Sequence, residues 1–561
     1  MNNADLVVAL FKAAGIARGF GVPSGNVLPL MEAMRSGGID FVLTAHEGSA
    51  GFAADVTARM TGVPGLCIAT LGPGATNLAT GVGCAWLDRS PLIAITCTLN
   101  EAQLGRRIQM WIDHQALFKP ITKASLVLRS GRIAETIAEA LRLALAEPQG
   151  PVHLDLPEDV ALAAVTEPVA RTGIIARDAR NHGGGLAPGL PSTSSVRPER
   201  SAPESKDERS AAITATARLL RSARRPLAVI GASAMRMNDP ALLRDFVERH
   251  GIPFASTTMA KGLIDEARPL AVGCIERACR QLQRRFIREH ADLVIGIGYD
   301  TIEVEYEAWV GALPVLHVDL ERADVDRSVA LAHELVGDLD ASVAALAALE
   351  PCEYAWDRHA IEQHRARFQA ALRPATESFS PHAAIDVVRR VLPRAGVLAF
   401  DVGAHTHQIA SQWTAHAPRT FLITNGWSSM GFGLPAAIAA KLARRDLPVV
   451  CIVGDGCFQM TCGELAVAKR ERLAIPFVVL DDRWLSLIKV KQERRGLEHY
   501  GTALFGEAYE APPAHYFGVR AVGVRSAEEL ERALVDALAA DGPTVIEALV
   551  DPSQYSETVF D

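Results

Sequence analysis

The sequence predicts an α/β protein with three doubly wound parallel-sheet domains, and three observations support that reading. Apolar runs short enough for strands alternate with amphipathic helical stretches in three separate blocks, the pattern of parallel sheets with crossover helices. Several of those runs end in glycine or acidic corners, as at Thr70-Leu71-Gly72, Val453-Gly454-Asp455 and Leu480-Asp481-Asp482, and ligands of open α/β sheets bind at such carboxyl edges. With 561 residues the chain is too long for one core, and its length suggests about three or four domains.

Composition narrows the function classes. A 49% hydrophobic and 22% charged content is that of an ordinary globular protein, and the net charge of -8 with pI ≈ 6.1 gives no basic footprint for nucleic acid. Nine cysteines without a C-x-x-C pair argue against a disulfide framework and a zinc site, so reduced thiols are expected. Residues 1–20 carry Asp5 and Lys12 in an amphipathic pattern unlike a signal peptide, and no apolar run reaches about 20 residues. A cytoplasmic protein acting on small molecules, with no membrane or nucleic-acid partner, is the expectation.

The first block, 1–168, reads as helix 3–14, strand 19–22, a Val22-Pro23-Ser24-Gly25 turn, helix 27–36 and strand 39–44. His46-Glu47-Gly48 follows at a strand-to-helix corner. A carboxylate there could simply favour the positive end of the helix. A second corner, Leu71-Gly72-Pro73-Gly74-Ala75-Thr76-Asn77, follows strand 65–70 at the same edge, which makes a pocket the sharper reading. Asp113-His114-Gln115 comes after a helix-like stretch, and such a pair often lies at a surface or cap.

Residues 169–210, with three consecutive glycines at 183–185, Pro188, Pro191 and a serine-rich run, read as a flexible linker. The second block, 211–350, alternates strands 226–231, 252–256, 292–297 and 315–319 with helices. Its Gly231-Ala232-Ser233 loop lacks the G-x-G-x-x-G spacing of a dinucleotide fingerprint. A charged helical connector spans 351–379.

The third block, 380–561, holds strand 397–400 leading to Asp401-Val402-Gly403-Ala404-His405, and a run of small residues from Asn425 through Ser428 and Met430. Strand 449–453 then ends in Gly454-Asp455-Gly456-Cys457, and strand 477–480 in Asp481-Asp482-Arg483-Trp484-Leu485. Glycines let a backbone approach a diphosphate closely, while Asp455 and Asp482 offer hard oxygen ligands for a magnesium ion. The tail, 553–561, is a candidate lid.

Gly-Asp-Gly followed after 24 residues by a paired acidic or amide position resembles the diphosphate motif of thiamine diphosphate enzymes. His46-Glu47, Gly72 to Asn77, Asp88-Arg89-Ser90-Pro91 and Val152-His153-Leu154-Asp155-Leu156-Pro157 look like the pyrimidine-binding domain of the acetolactate synthase group. The resemblance implies a pyrimidine-binding domain at 1–168, a central domain at 211–350 and a diphosphate-binding domain at 380–561. It also implies thiamine diphosphate and Mg2+ as cofactors. Val22, Pro23, Glu47, Gly72 and Asn77 match the pyrimidine side. Gly403, Ala404, His405, Ser428, Met430, Gly454, Asp455, Gly456, Cys457, Asp482, Trp484 and Leu485 match the diphosphate side, with Asp455, Asp482 and Trp484 at the metal. Asp481 departs from the group's asparagine.

In that group the glutamate at the Glu47 position hydrogen-bonds N1′ of the aminopyrimidine, which prepares the cofactor to lose its C2 proton. His114 and Gln115 fall beside the reacting carbon, where the group has Phe-Gln, and count as catalytic candidates with Glu47. Ile488 and Lys491 fall in the substrate region, and a lysine there suits a substrate bearing an extra anion. In the central domain Tyr299 replaces an expected arginine and another flavin-contacting segment has no match, which leaves FAD doubtful. The implied activity is an acetolactate synthase-like carboligase, a transferase acting on pyruvate or a related 2-oxo acid in a homodimer or homotetramer with sites between subunits. The alternatives are a non-ligating decarboxylase, a flavin-linked oxidase and a non-catalytic homologue.

Overall fold

A computed structural model of the chain describes residues 1–167, 206–505 and 511–559. The described residues fall into two compact units, one drawn from Met1–Gly184, Val391–Gly403 and Leu422–Val550, the other from Gly185–Arg390, Ala404–Phe421 and Asp551–Asp561. Three parallel sheets carry them, as expected for this α/β class. Most of the linker expected at 169–210 lies outside the described residues, and the following block opens earlier than expected, with a helix from Lys206 to Ser222.

In the first unit, Asp40–Leu43, Arg18–Gly21, Gly65–Thr70, Leu92–Thr98, Pro151–Pro157 and Ala124–Val127 lie side by side in that order, every pair parallel. The order reverses between Arg18–Gly21 and Gly65–Thr70, so the corners that follow them, at Val22 and Gly72, flank a topological switch point. Helix Asn3–Ala13 starts on a capping box: the Asn2 side chain accepts from the Asp5 N–H at 2.9 Å while the Asp5 carboxylate accepts from the Asn2 N–H at 2.8 Å. The same unit holds a second sheet with Val397–Phe400, Val449–Gly454, Pro476–Asp481, Thr544–Leu549 and Val519–Val524 in parallel, closed by the antiparallel edge strand His515–Tyr516.

Helices Glu47–Thr61 and Pro73–Leu87, which follow strands Asp40–Leu43 and Gly65–Thr70, cross through glycine. A Cβ on Gly51 would stand 2.6 Å from the Gly81 Cα, and one on Gly81 would stand 2.5 Å from the Gly51 Cα. No side chain fits between them. Gly51→Val is therefore expected to destabilise the unit by about 3 kcal/mol, the upper range for overpacking, and to lower the thermal midpoint by several degrees in calorimetry. An unchanged midpoint would mean that the helices can separate freely.

The other unit orders its strands Leu331–Val336, Val315–Asp319, Leu293–Ile297, Pro226–Ile230, Phe254–Ser256, Ala271–Cys274, all parallel. The tail belongs to this unit rather than standing free as a lid. Asp551 N–H donates to the Phe379 carbonyl and Cys279 N–H to the Thr558 carbonyl, both at 2.8 Å, and the Tyr555, Thr558 and Val559 side chains are buried. Among the described residues no helix is long and apolar enough to cross a membrane.

Candidate active site

Strand Val449–Gly454 delivers Asp455 to the first turn of helix Asp455–Thr461, and the neighbouring strand Pro476–Asp481 delivers Asp482 to a tight turn. Asp455 Oδ1 accepts from the Gly456 N–H and Oδ2 from the Arg483 N–H, each at 2.7 Å, and Asp482 Oδ1 accepts from the Trp484 N–H at 3.0 Å. Arg483 reaches Asp455 because its backbone is left-handed, φ 67°, an unusual state for a residue with a Cβ. Thus the two carboxylates share one rigid turn. Burial, then repulsion from Asp482 and Asp481, pushes the Asp455 carboxyl up to about 9, and burial with repulsion from Asp481 pushes Asp482 up to about 6. Among the described residues neither carboxylate has an ion-pair partner. Hard oxygen donors that destabilise one another in this way are the donor set a divalent cation relieves.

A second acidic cluster shows the contrast. Asp55, Cys84 and Asp88 also lie close enough to ligate a metal, but the Arg59 guanidinium binds Asp55 at 2.8 Å through Nε and Asp88 at 2.7 Å through Nη2. That charge is already neutralised.

Around Asp455 three of the sequence candidates meet. A Cβ on Gly456 would meet Leu485 Cδ2 at 2.8 Å and Met430 Cε at 3.5 Å, so Met430, Gly456 and Leu485 share one spot. The Met430 loop is held from below by Asp401, a residue missed as a functional candidate. Its buried carboxylate accepts from the N–H groups of Gly431 at 3.0 Å, Gly433 at 2.7 Å and Val402 at 2.8 Å. Ser428 is exposed with φ 50° and donates to the Asn425 carbonyl at 2.6 Å. Gly403 closes its segment of this unit. Ala404 and His405 open helix Ala404–Gln412 in the other unit, where both are buried.

Glu47 opens helix Glu47–Thr61 at the edge of the first sheet, behind the His46 N-cap. Asn77 Nδ2 donates to Glu47 Oε2 at 3.1 Å, and a Cβ on Gly74 would stand 3.4 Å from Oε1, so glycine at 74 keeps that oxygen uncrowded. The corner is fixed from a distant part of the chain: buried Glu464 accepts from the Ala45 N–H at 3.0 Å and the His46 N–H at 3.2 Å. Gly72 must be glycine, because its φ is 61° and a Cβ would lie 2.3 Å from the Met110 carbonyl oxygen. Val22 and Pro23 follow strand Arg18–Gly21, half-buried and exposed respectively.

His114 and Gln115 open helix His114–Phe118 rather than follow a helix, with Asp113 as its N-cap accepting from the Ala116 N–H at 3.0 Å. His114 is buried. Its Nε2 accepts from the Gly72 N–H at 3.1 Å, so the proton sits on Nδ1, which donates to Asp155 Oδ1 at 2.8 Å. Gln115 Nε2 donates to Asp155 Oδ2 at 2.9 Å. Asp155 thus sets both side chains. Burial opposes its charge, yet the bond from His114 and the nearby His153 hold its carboxyl below the usual range. The signal was present in the sequence: His153 and Asp155 are two apart on an otherwise apolar strand and therefore share a face.

His153 is buried between the Thr96 hydroxyl at 2.7 Å and the Ser125 hydroxyl at 2.6 Å, and burial holds its imidazole down to about 4. The unfolded chain takes this proton near 6.5 and the folded chain only near 4, so the stability His153 contributes is complete above pH 6.5 and is lost as pH falls through that window. In urea unfolding, the stability advantage of wild type over His153→Gln is expected to shrink by about 2 kcal/mol between pH 7 and pH 5. A constant difference would show that the ring is solvated.

After the acid turn, helix Ser486–Arg494 places Ile488 and Lys491 one turn apart on one face, Ile488 exposed and Lys491 half-buried. The chain then returns along the turn, with Leu485 N–H donating to the Thr502 carbonyl at 2.8 Å and Leu504 N–H to the Arg483 carbonyl at 3.0 Å. Lys489 Nζ lies 4.4 Å from the centre of the Trp484 ring. Apolar walls from Phe458, Val479 and Leu504 line a cavity that includes Asp455.

Glycine corners and an unpaired acid pair at one sheet edge suit, by their chemistry, a protein that holds a diphosphate-bearing cofactor. Comparison with known families names it: residues 1–117 match the N-terminal TPP binding domain of thiamine pyrophosphate enzymes, 213–346 their central domain and 401–548 their C-terminal TPP binding domain. The chain is 30% identical to the acetolactate synthase isozyme 2 large subunit of Escherichia coli (strain K12), over 98% of this chain and 96% of that one. It is 28% identical to a probable acetolactate synthase large subunit of Methanococcus aeolicus, covering 99% of this chain and 92% of the relative. An acetolactate synthase of Arthrospira platensis is 29% identical, with 96% and 92% covered. The chain belongs to the thiamine pyrophosphate enzyme family.

Proposed function

We propose that this enzyme removes carbon dioxide from a 2-oxo acid, pyruvate in the first instance, and ligates the remaining two-carbon unit to a second carbonyl compound, in a reaction that depends on thiamine diphosphate and Mg2+. The observation that carries the reading is the corner carboxylate: Glu47 stands at the sheet edge with one oxygen fixed by Asn77 and the other uncrowded. The names of the relatives, acetolactate synthases over nearly the whole chain, support the choice of reaction.

Bound thiamine diphosphate supplies the electron sink that lets carbon dioxide leave. The chain's residues do the rest. Asp455, Asp482 and Trp484 hold the cation, while Gly403, Gly454, Gly456 and Cys457 receive the diphosphate. Met430 is the apolar wedge beside Gly456 and Leu485, a use that suits a flexible thioether. Val22, Pro23, Gly72 and Ser428 complete the cofactor contacts. Glu47 turns Oε1 toward the cofactor's aminopyrimidine for proton exchange, because Oε2 already accepts from Asn77. His114 and Gln115, both tied to Asp155, present a fixed surface to the reacting carbon. Ile488 and Lys491 face the substrate, Lys491 recognising an anionic group.

The active assembly is a homodimer or homotetramer with sites between subunits. Nine free thiols and the lack, among the described residues, of a membrane-crossing helix suit the cytoplasm.

Proton NMR of pyruvate with the enzyme, thiamine diphosphate and magnesium tests the reaction. Acetolactate is the expected product. Acetaldehyde alone would replace ligation with simple decarboxylation, and untouched pyruvate would exclude it as the donor. If Lys491 recognises an anion, Lys491→Trp shifts selectivity toward uncharged acceptors by about tenfold, the size of one charged contact. An unchanged ratio of specificity constants would return Lys491 to a structural role.

A further inference from the structure

In the second unit the strand order turns over between Pro226–Ile230 and Leu293–Ile297. From the first the chain runs outward through Phe254–Ser256 and Ala271–Cys274, from the second the other way through Val315–Asp319 and Leu331–Val336. The carboxyl ends at such a switch point are where open α/β sheets take nucleotides, and flavin is the nucleotide the acetolactate synthase resemblance brings to this domain. Here the chain's own groups fill the position.

The two loops touch through backbone. Gly231 N–H donates to the Ile297 carbonyl at 3.0 Å, Ser233 N–H donates to the Gly298 carbonyl at 2.9 Å, and a Cβ on Gly298 would lie 2.4 Å from the Ala234 nitrogen. No crevice separates them there. Donors that would face a phosphate are already committed: the Glu303 carboxylate accepts from the Ala232 N–H at 3.1 Å, the Met259 N–H at 2.8 Å and the Thr257 hydroxyl at 2.5 Å. Backbone N–H groups from two adjacent strand-to-loop corners converging on one anion are the arrangement by which proteins cradle phosphate.

The neighbouring donors are likewise committed to the chain's own carboxylates. Glu276 accepts from the Thr258 hydroxyl and the Arg277 N–H, each at 2.7 Å, and lies 3.1 Å from His407. Glu266 accepts from Lys261 at 2.8 Å, the Ser256 hydroxyl at 2.8 Å and the Ala415 N–H at 2.9 Å. Burial pushes the Glu303 carboxyl up to about 7 although its three donors pull the other way, so the place is closed to water. Tyr299, which stands where the flavin-binding pattern has arginine, is turned into the core. Its hydroxyl donates to the Val304 carbonyl at 2.6 Å and accepts from Trp309 Nε1 at 2.9 Å, and its ring stacks on Tyr306 at 4.2 Å. These residues do not fit FAD.

We propose that Glu303 is a built-in stand-in for a nucleotide phosphate, so that this unit binds neither FAD nor another phosphate-bearing nucleotide. The inference is independent of which 2-oxo acid the enzyme uses. Its test starts with the full chain loaded with thiamine diphosphate and magnesium, incubated with FAD or ADP and then desalted. No flavin absorbance and no retained ADP are expected, and a stoichiometric amount of either would overturn the proposal. Glu303→Ala should empty the cradle without adding bulk. Inorganic phosphate is then expected to raise the thermal midpoint of the variant by about 3 °C while leaving wild type unmoved. Equal responses of both proteins would show that Glu303 does not hold an anion site. If Glu303→Ala does not fold, Glu303→Ser, which keeps one acceptor and still clears the volume, is read in the same way.

Discussion

Glu47→Gln is expected to keep thiamine diphosphate and lose turnover by about 10²- to 10⁴-fold, the range for removing a positioned proton-transfer group. The substitution preserves shape. A glutamine carbonyl can still accept from Asn77 Nδ2, as Glu47 Oε2 does at 3.1 Å, and Glu464 still fixes the corner through Ala45 and His46. What is lost is an oxygen that can exchange a proton at the Oε1 position. Cofactor affinity should change less than turnover, so a titration of thiamine diphosphate beside a steady-state rate separates the two. Wild-type turnover would remove Glu47 from the proton path.

Asp455→Ala is expected to weaken magnesium and thiamine diphosphate binding together by at least about 100-fold, more than the 10- to 100-fold typical of an outer partner of a metal ligand. The unliganded protein behaves in the opposite sense. Asp455 and Asp482 are pushed up to about 9 and 6 by burial and by repulsion within the acidic group, so deleting one carboxylate relieves the other. The unliganded variant should therefore melt no lower than unliganded wild type. The stabilisation that wild type gains from cofactor and magnesium, about 2.7 kcal/mol at a hundred times the dissociation constant, should vanish. A variant that melts lower without ligand yet keeps this gain would place the cation elsewhere.

Much of the fold was legible because buried parallel strands are apolar runs with abrupt polar ends. Strands Gly65–Thr70, Val315–Asp319 and Val397–Phe400 stand where the sequence places them, since each run stops at a corner. Strand Leu331–Val336 was not anticipated, because it is an edge strand whose charged and apolar residues mix and whose burial is partial. The clustering of Met430 with Gly456 and of Glu47 with Asn77 was within reach, since short motifs carry those residues.

The supports beneath the site were not. Glu464 reaches Ala45 across 419 residues, and Asp401 holds Gly431 and Gly433 across a long loop, so no local spacing marks either bond. Asp155 was visible as part of a matched strand, but its grip on His114 and Gln115 depends on the sheet register that sets Asp155 beside Thr96. Asp113-His114-Gln115 was expected to follow a helix-like stretch rather than to start helix His114–Phe118, although Asp113 already carried the signature of an N-cap.

The measurement that tests the central claim most directly is calorimetric titration of metal-stripped enzyme with thiamine diphosphate, with and without magnesium. Saturable binding that requires magnesium, and that Asp455→Ala abolishes, is the predicted result. Absence of binding with magnesium present, or full-strength binding that ignores both the metal and Asp455, would contradict the assignment of this sheet edge as the cofactor site.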